Sequence, residues 1–156
     1  MKGKHIPLII KNRIKSIFLH HKGKMPDFII VGAQKCGTTT IIKNLSKHPD
    51  IFISRYNYPG KAYGEVYFFN RSHNWANGIK WYKSLFDNNK VCGEKTPCYM
   101  TNKRTMERIA KLIPNVKIII CLRDPIRRVI SHLNMVNTYK KQNRKIIDII
   151  NNPEFI

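Results

Sequence analysis

The stretch PDFIIVGAQKCGTTT, Pro26 to Thr40, decides the fold. Phe28-Ile29-Ile30-Val31 is a short, continuous apolar run rich in β-branched residues that ends at Gly32, the pattern of a buried strand. Thr38 to Lys47 then reads as a helix, stopped by His48-Pro49. Between strand and helix lies a turn framed by Gly32 and Gly37, where backbone N–H groups can close around an anion and the helix N-terminus adds partial positive charge. Lys35 sits inside this turn, and the hydroxyls of Thr38, Thr39 and Thr40 can donate to the same oxygens. The stretch is therefore a phosphate cradle. It is not a Walker A loop, because GxxxxGK[ST] requires a lysine where Thr38 stands. The plainer alternative, a tight strand-to-helix connection with a threonine cap, leaves Lys35 and the run of three threonines unexplained.

The same grammar recurs downstream. Lys117 to Leu122 reads as a second buried strand, followed by a helix over Pro125 to Tyr139. Between the two units, Ile51 to Ser54 is strand-like and Arg55 to Gly64, with Tyr58-Pro59-Gly60 inside it, reads as a loop. Trp75 to Phe86 and Asn102 to Ile113 read as helices, the latter halted by Pro114. Two buried strands that each feed a helix predict an α/β fold, a three-layer parallel sheet. Ligands in such folds bind at the carboxyl ends of the strands, so the turns Gly32 to Thr39 and Arg123 to Arg128 should open on one crevice. In the second turn Asp124 suits an N-cap and Pro125 the first helical position. Arg123 leaves the strand tip, Ser131 lies about two turns into the helix, and together they can clamp a second phosphate. The competing reading pairs Arg123 with Asp124; Arg127 reads as a solvated surface charge.

Composition narrows the class. The chain has 156 residues, 42% of them hydrophobic, enough for one globular domain and too apolar for a disordered or collagen-like polymer. Its longest apolar runs, such as Ile118 to Leu122, fall far short of the roughly 20 residues that span a bilayer. Residues 1–24 form a basic lead-in whose apolar patches are interrupted by Lys11, Arg13 and Lys15, unlike a signal peptide. The expectation is a soluble, cytoplasmic protein without a transmembrane anchor, with an amphipathic surface anchor as the alternative for the lead-in. Cys36, Cys92, Cys98 and Cys121 form no CxxC pair, so no metal site is expected and the thiols should be reduced.

The net charge of +20 invites a nucleic-acid reading. Ile, Lys and Asn, residue types favoured by AT-rich codons, make up 59 of the 156 residues, so part of that charge reflects coding bias. No zinc finger, helix-turn-helix or RNP-like aromatic motif accompanies it, and a nucleic-acid partner is not expected.

The pair PDFIIVGAQKCGTTT and LRDPIRRVISH, Leu122 to His132, resembles the two cofactor signatures of sulfotransferases that use 3′-phosphoadenosine 5′-phosphosulfate (PAPS). Between them Gly64-Glu65-Val66-Tyr67-Phe68-Phe69, Trp81-Tyr82 and Gly93-Glu94-Lys95-Thr96-Pro97-Cys98-Tyr99 resemble further landmarks of the heparan-sulfate-type branch, in the same order. The resemblance covers residues 26 to 135 and implies a domain over 25–156 with a P-loop-like nucleotide-binding core. It implies that Lys35, Cys36, Gly37, Thr38, Thr39 and Thr40 bind the 5′-phosphosulfate, and that Arg123 and Ser131 hold the 3′-phosphate. By the same resemblance Glu65 is the general base, Lys95 a lysine near the reacting centre, and Lys35 a catalytic as well as a binding residue. The acceptor would be a hydroxyl or amine of a carbohydrate-like molecule, with PAPS as co-substrate and no metal. Phe68 and Phe69 are expected in the core rather than at the substrate.

Two positions depart from the branch: Gly64 stands where a basic residue usually precedes the glutamate, with Lys61 close by, and Tyr67 stands where a histidine is common. The chain ends at Ile156, soon after the second signature, which suggests a C-terminally truncated domain or a site completed by a partner chain. A nucleotide kinase is the nearest rival enzyme and lacks its Walker lysine; a non-catalytic nucleotide-binding remnant or a basic polyanion-binding module are the rivals outside catalysis.

Overall fold

The computed structural model describes residues 23–54, 56, 63–87, 89–140, 145, 147 and 151. Nearly all of the basic lead-in, and most of the expected loop Arg55 to Gly64 including Lys61, lie outside the described residues. Four strands, β1 (Phe28–Gly32), β2 (Ile51–Ile53), β3 (Val91–Lys95) and β4 (Lys117–Ile120), form one sheet in the order β2-β3-β1-β4, and every pairing is parallel. The helices are α1 (Thr38–Leu45), α2 (Ser72–Trp75), α3 (Gly78–Lys83), α4 (Lys103–Leu112) and α5 (Pro125–Lys140), with a 3₁₀ turn at Tyr99–Thr101. The expected three-layer parallel architecture is present.

Strand β1 is central because its side chains are apolar on both faces. Ile29 and Val31 enter one cluster with Phe68, Phe69, Tyr82, Phe86 and Ile109; Phe28 and Ile30 enter the other with Ile42, Ile53 and Cys121. Each fully buried Ile or Val contributes about 1.5–3 kcal/mol, so this one strand ties both layers to the sheet. Phe68 stacks on Tyr82 at 4.2 Å between ring centroids, which places it in the core as expected. The chain leaves β1 toward β2 and β3 and returns to its other side with β4, so the carboxyl end of β1 is the point where strand order reverses.

Three expectations need correction. The helix read over Trp75 to Phe86 is two short helices, because the chain turns at Ala76-Asn77 and enters α3 through Gly78 at φ +78°. The strand read as buried over Lys117 to Leu122 is shorter and lies at the edge of the described sheet. Ile118, Ile120 and Leu122 are exposed, and only Ile119 and Cys121 pack inward. Strand β3 carries Gly93, Glu94 and Lys95 and did not read as a strand at all. Gly93 is required there for space: a Cβ would lie 2.2 Å from the Phe28 ring on the neighbouring strand. The other elements differ from expectation only at their ends, and Asn102 caps α4 by accepting from the Thr105 N–H at 3.0 Å.

Candidate active site

The carboxyl ends of β1, β3 and β4 meet at one place, and each supplies a different kind of group. After β1 the backbone turns through two left-handed residues, Lys35 (φ +67°) and Gly37 (φ +80°). A left-handed lysine costs about 1 kcal/mol or more, which marks a loop shaped for more than connection. Gly37 caps α1 through its carbonyl, accepting from the Thr40 and Ile41 N–H groups at 2.9 and 3.1 Å. It offers no side-chain cap, so the first helical turn keeps N–H groups available to an anion. Thr38 is buried, Thr39 half-buried and Thr40 exposed.

After β4, Asp124 Oδ1 accepts from the Arg127 N–H at 2.9 Å, the N-cap expected for α5. Arg123 donates from Nη1 to the Lys35 carbonyl at 3.1 Å, so it joins the two turns instead of serving Asp124. Ser131 is half-buried on α5 and Arg127 is exposed. The two turns are thus brought together at one mouth.

The third contribution comes from β3. Lys95 has a side chain with no exposure, and its Nζ lies 2.7 Å from Glu65 Oε1 and 3.1 Å from Thr39 Oγ1. One ammonium therefore bridges the phosphate loop and the carboxylate. The other carboxylate oxygen, Oε2, accepts from the Tyr67 hydroxyl at 2.8 Å. Burial, and then the carboxylate beside it, push the Tyr67 hydroxyl well above its ordinary range, so it remains a donor. Gly64 (φ +77°) and Tyr67 (φ +57°) bend the backbone on either side of Glu65 into this position. At Gly64 the positive φ costs a glycine nothing, where a residue with a side chain would be strained.

The first two contributions come from the two stretches that resemble cofactor signatures and the third from the landmarks between them, and comparison with known proteins shows the family. The sulfotransferase domain family matches residues 25–153. The chain belongs to the sulfotransferase family. It is 35% identical over 126 residues to the membrane-associated sulfotransferase kil1 of Dictyostelium discoideum, covering 77% of this chain and 25% of that protein. It is 31% identical over 125 residues to mouse heparan sulfate glucosamine 3-O-sulfotransferase 5, covering 78% of this chain and 34% of that one. A solved sulfotransferase from Alicyclobacillus acidocaldarius superposes with a TM-score of 0.67 at 27% identity, covering 85% of this chain and 58% of its own. The chain thus spans about a quarter to a third of the length of these curated relatives. No helix of the described residues is long and apolar enough to cross a membrane.

The sulfotransferase donor fits the groups present. A Cβ at Gly37 would meet nothing within 4 Å, so the loop faces open space where an anion can approach. His132 Nδ1 is buried and has no hydrogen-bond partner among the described residues. Burial and the charges of Arg128 and Lys35 lower its pKa, a sign that positive charge is concentrated at this mouth. No group of three metal-ligating side chains occurs among the described residues.

Three members of the site were not legible as such. In the sequence Tyr67 stands out only as a departure from the branch, and in the structure its hydroxyl is the second hand on Glu65. Glu94 is fully buried beside Thr96, Tyr82 and Tyr99, and burial lifts its pKa to about 7 against the opposing effect of those hydroxyls. Thr96 donates to Glu94 Oε2 at 2.8 Å and lies under the Glu65 segment. Alternation in β3 could have supplied a signal: Lys95 and Glu94 must point to opposite faces, so one of the two charges had to be satisfied away from the crevice.

Proposed function

We propose that this chain carries out sulfuryl transfer from PAPS to a hydroxyl or amine of a carbohydrate-like acceptor. The observation that carries the reading is the bridge made by Lys95, one buried ammonium within bonding distance of both the phosphate loop and Glu65. When bound, PAPS supplies the activated sulfuryl group. Lys35, Cys36, Gly37, Thr38, Thr39 and Thr40 form the loop that holds the 5′ side, and Arg123 and Ser131 hold the 3′-phosphate. Lys35 and the loop N–H groups stabilise the negative charge that develops on the departing oxygen, by analogy with phosphoryl transfer.

Glu65 takes the proton of the acceptor. Its side chain is 10% exposed where that of Lys95 is wholly enclosed, so the carboxylate is the member of the pair that an incoming hydroxyl can meet. Lys95 and Tyr67 fix both carboxylate oxygens in place, and the remaining lone pairs are left for the acceptor. The heparan sulfate and 3-O specificity in the name of the mouse relative supports a carbohydrate acceptor, and the high positive charge suits a polyanionic one. A partner chain or further sequence can complete the acceptor side of the site.

Calorimetric titration with 3′-phosphoadenosine 5′-phosphate tests the reading. Micromolar binding, about −8 kcal/mol, weakened by both Lys35→Ala and Arg123→Ala, is the expected result. Binding indifferent to both changes would sink it.

A further inference from the structure

The segment that carries Glu65 has no regular secondary structure, yet three of its backbone N–H groups are held by side chains from elsewhere in the chain. The Val66 and Tyr67 N–H groups donate to Thr96 Oγ1 at 3.2 and 3.3 Å, and the Phe69 N–H donates to the Tyr99 hydroxyl at 3.4 Å. Thr96 Oγ1 has two lone pairs, and both are engaged by these amides, so its single proton must go to another acceptor. That acceptor is Glu94 Oε2, 2.8 Å away. The Tyr99 hydroxyl lies 3.3 Å from each Glu94 oxygen, and Tyr82 donates to Oε1 at 2.5 Å from the other side. Glu94 has no exposure, and neither do Thr96, Tyr82 and Tyr99.

We propose that Glu94, Thr96 and Tyr99 form a buried template that sets the backbone of residues 65–69 and thereby aims the Glu65 carboxylate. None of the three touches the reacting atoms in this scheme, so they are positioning residues. Glu94 suits the centre of such a template: ionised, above about pH 7, it only accepts, which orients every hydroxyl around it with its proton inward and its lone pairs outward toward the segment. The segment needs this help, since Tyr67 holds a left-handed conformation that an unsupported loop would relax. An apolar residue at position 94 would leave the hydroxyls free to rotate, and the segment would lose its alignment rather than its fold. The bearing on catalysis rests on the assignment of Glu65 as base; the template itself does not.

Amide hydrogen exchange separates the two. In the unaltered chain the Val66, Tyr67 and Phe69 amides should exchange as slowly as the Ile109 amide inside α4, a result that needs no variant to fold. Thr96→Val should quicken exchange at Val66 and Tyr67 by about tenfold or more while sparing Phe69, and Tyr99→Phe should do the reverse. Thr96→Ser, which restores the hydroxyl, should restore protection. Turnover should fall with Thr96→Val and return with Thr96→Ser, with affinity for 3′-phosphoadenosine 5′-phosphate unchanged throughout. Rapid exchange at all three amides in the unaltered chain, or a uniform response of all three to either substitution, would overturn the template. Full turnover by Glu65→Gln with the exchange pattern intact would instead remove the base assignment and leave the template standing.

Discussion

The two sides of the crevice are built in opposite ways. On the β3 side Glu65, Lys95, Thr96 and Glu94 are buried and joined by hydrogen bonds and an ion pair, so the acid and the ammonium are fixed before anything binds. On the β4 side Arg123 is exposed, and the one hydrogen bond described for its guanidinium goes to the Lys35 carbonyl. Proton transfer depends steeply on where the base stands, whereas a phosphate can be gripped by a guanidinium that moves to meet it. Under the proposed function, the difference teaches that preorganisation is concentrated at the end assigned to the chemistry, and that the end assigned to the 3′-phosphate is left to the ligand to order. That contrast can be broken or sharpened by substitution.

The largest effect should follow from Lys95→Met. Removing the ammonium leaves Glu65 buried without its partner, which costs about 3–5 kcal/mol in stability as well as turnover. Urea unfolding reads the first and a sulfuryl-transfer assay the second. A stability loss below about 1 kcal/mol would mean that the pair behaves as a screened surface contact, and the contrast between the two sides would collapse. Glu65→Gln comes next and should act on chemistry alone. Turnover should fall about 100- to 10,000-fold, the usual worth of a positioned base, with binding of 3′-phosphoadenosine 5′-phosphate unaltered.

How far the sequence could be read follows the same division. The backbone of the Gly32 to Thr40 turn and of the Arg123 turn was legible because each is a local event: a strand, a glycine or proline, and a helix start within about ten residues. Asp124 capping α5 and Gly37 opening α1 needed no knowledge of the rest of the chain. The Glu65 side was legible only through resemblance, since its contacts join residues 30 positions apart. Strand β3 failed to read as a strand because its Val-Cys-Gly-Glu-Lys sequence offers neither alternation nor an apolar run, and its two charges are satisfied only in three dimensions. The edge strand misled in the other direction: Ile118-Ile119-Ile120 has the composition of a buried strand, and position in the sheet, which composition does not encode, leaves two of the three exposed.

The buried side should also respond to pH. Glu94 has its pKa raised by burial from 4.5 to about 7, so between those values the folded chain retains a proton that the unfolded chain has released. Stability must then fall as pH rises from about 4.5 to 7 and level off above, by up to about 3 kcal/mol from this group. Urea midpoints across that range should show the decline, and Glu94→Gln should flatten it. A decline of the same size in Glu94→Gln would assign the titration elsewhere. On the open side, Arg123→Ala should weaken binding of 3′-phosphoadenosine 5′-phosphate about 10- to 100-fold, or 1.5–3 kcal/mol, while leaving the unfolding midpoint in place. Lost stability with intact affinity would make Arg123 a strut for the Lys35 carbonyl rather than a phosphate ligand.

The smallest effect is the most discriminating. Tyr67→Phe deletes one hydroxyl, the donor to Glu65 Oε2, and keeps the ring, whose face lies 5.3 Å from the Arg71 guanidinium. The cost to stability should be about 1 kcal/mol, the net worth of a single hydrogen bond. If both carboxylate oxygens must be held, turnover should drop by more than that figure implies, because Glu65 would be free to rotate about its last bond while still paired with Lys95 through Oε1. If Lys95 alone is enough, turnover should follow the stability loss and no more. The comparison therefore asks whether the rigidity of the β3 side is the property of one ion pair or of a carboxylate gripped from both ends. Steady-state rates for Tyr67→Phe beside Thr96→Val decide between them, since the second substitution loosens the backbone and leaves the Tyr67 hydroxyl in the chain.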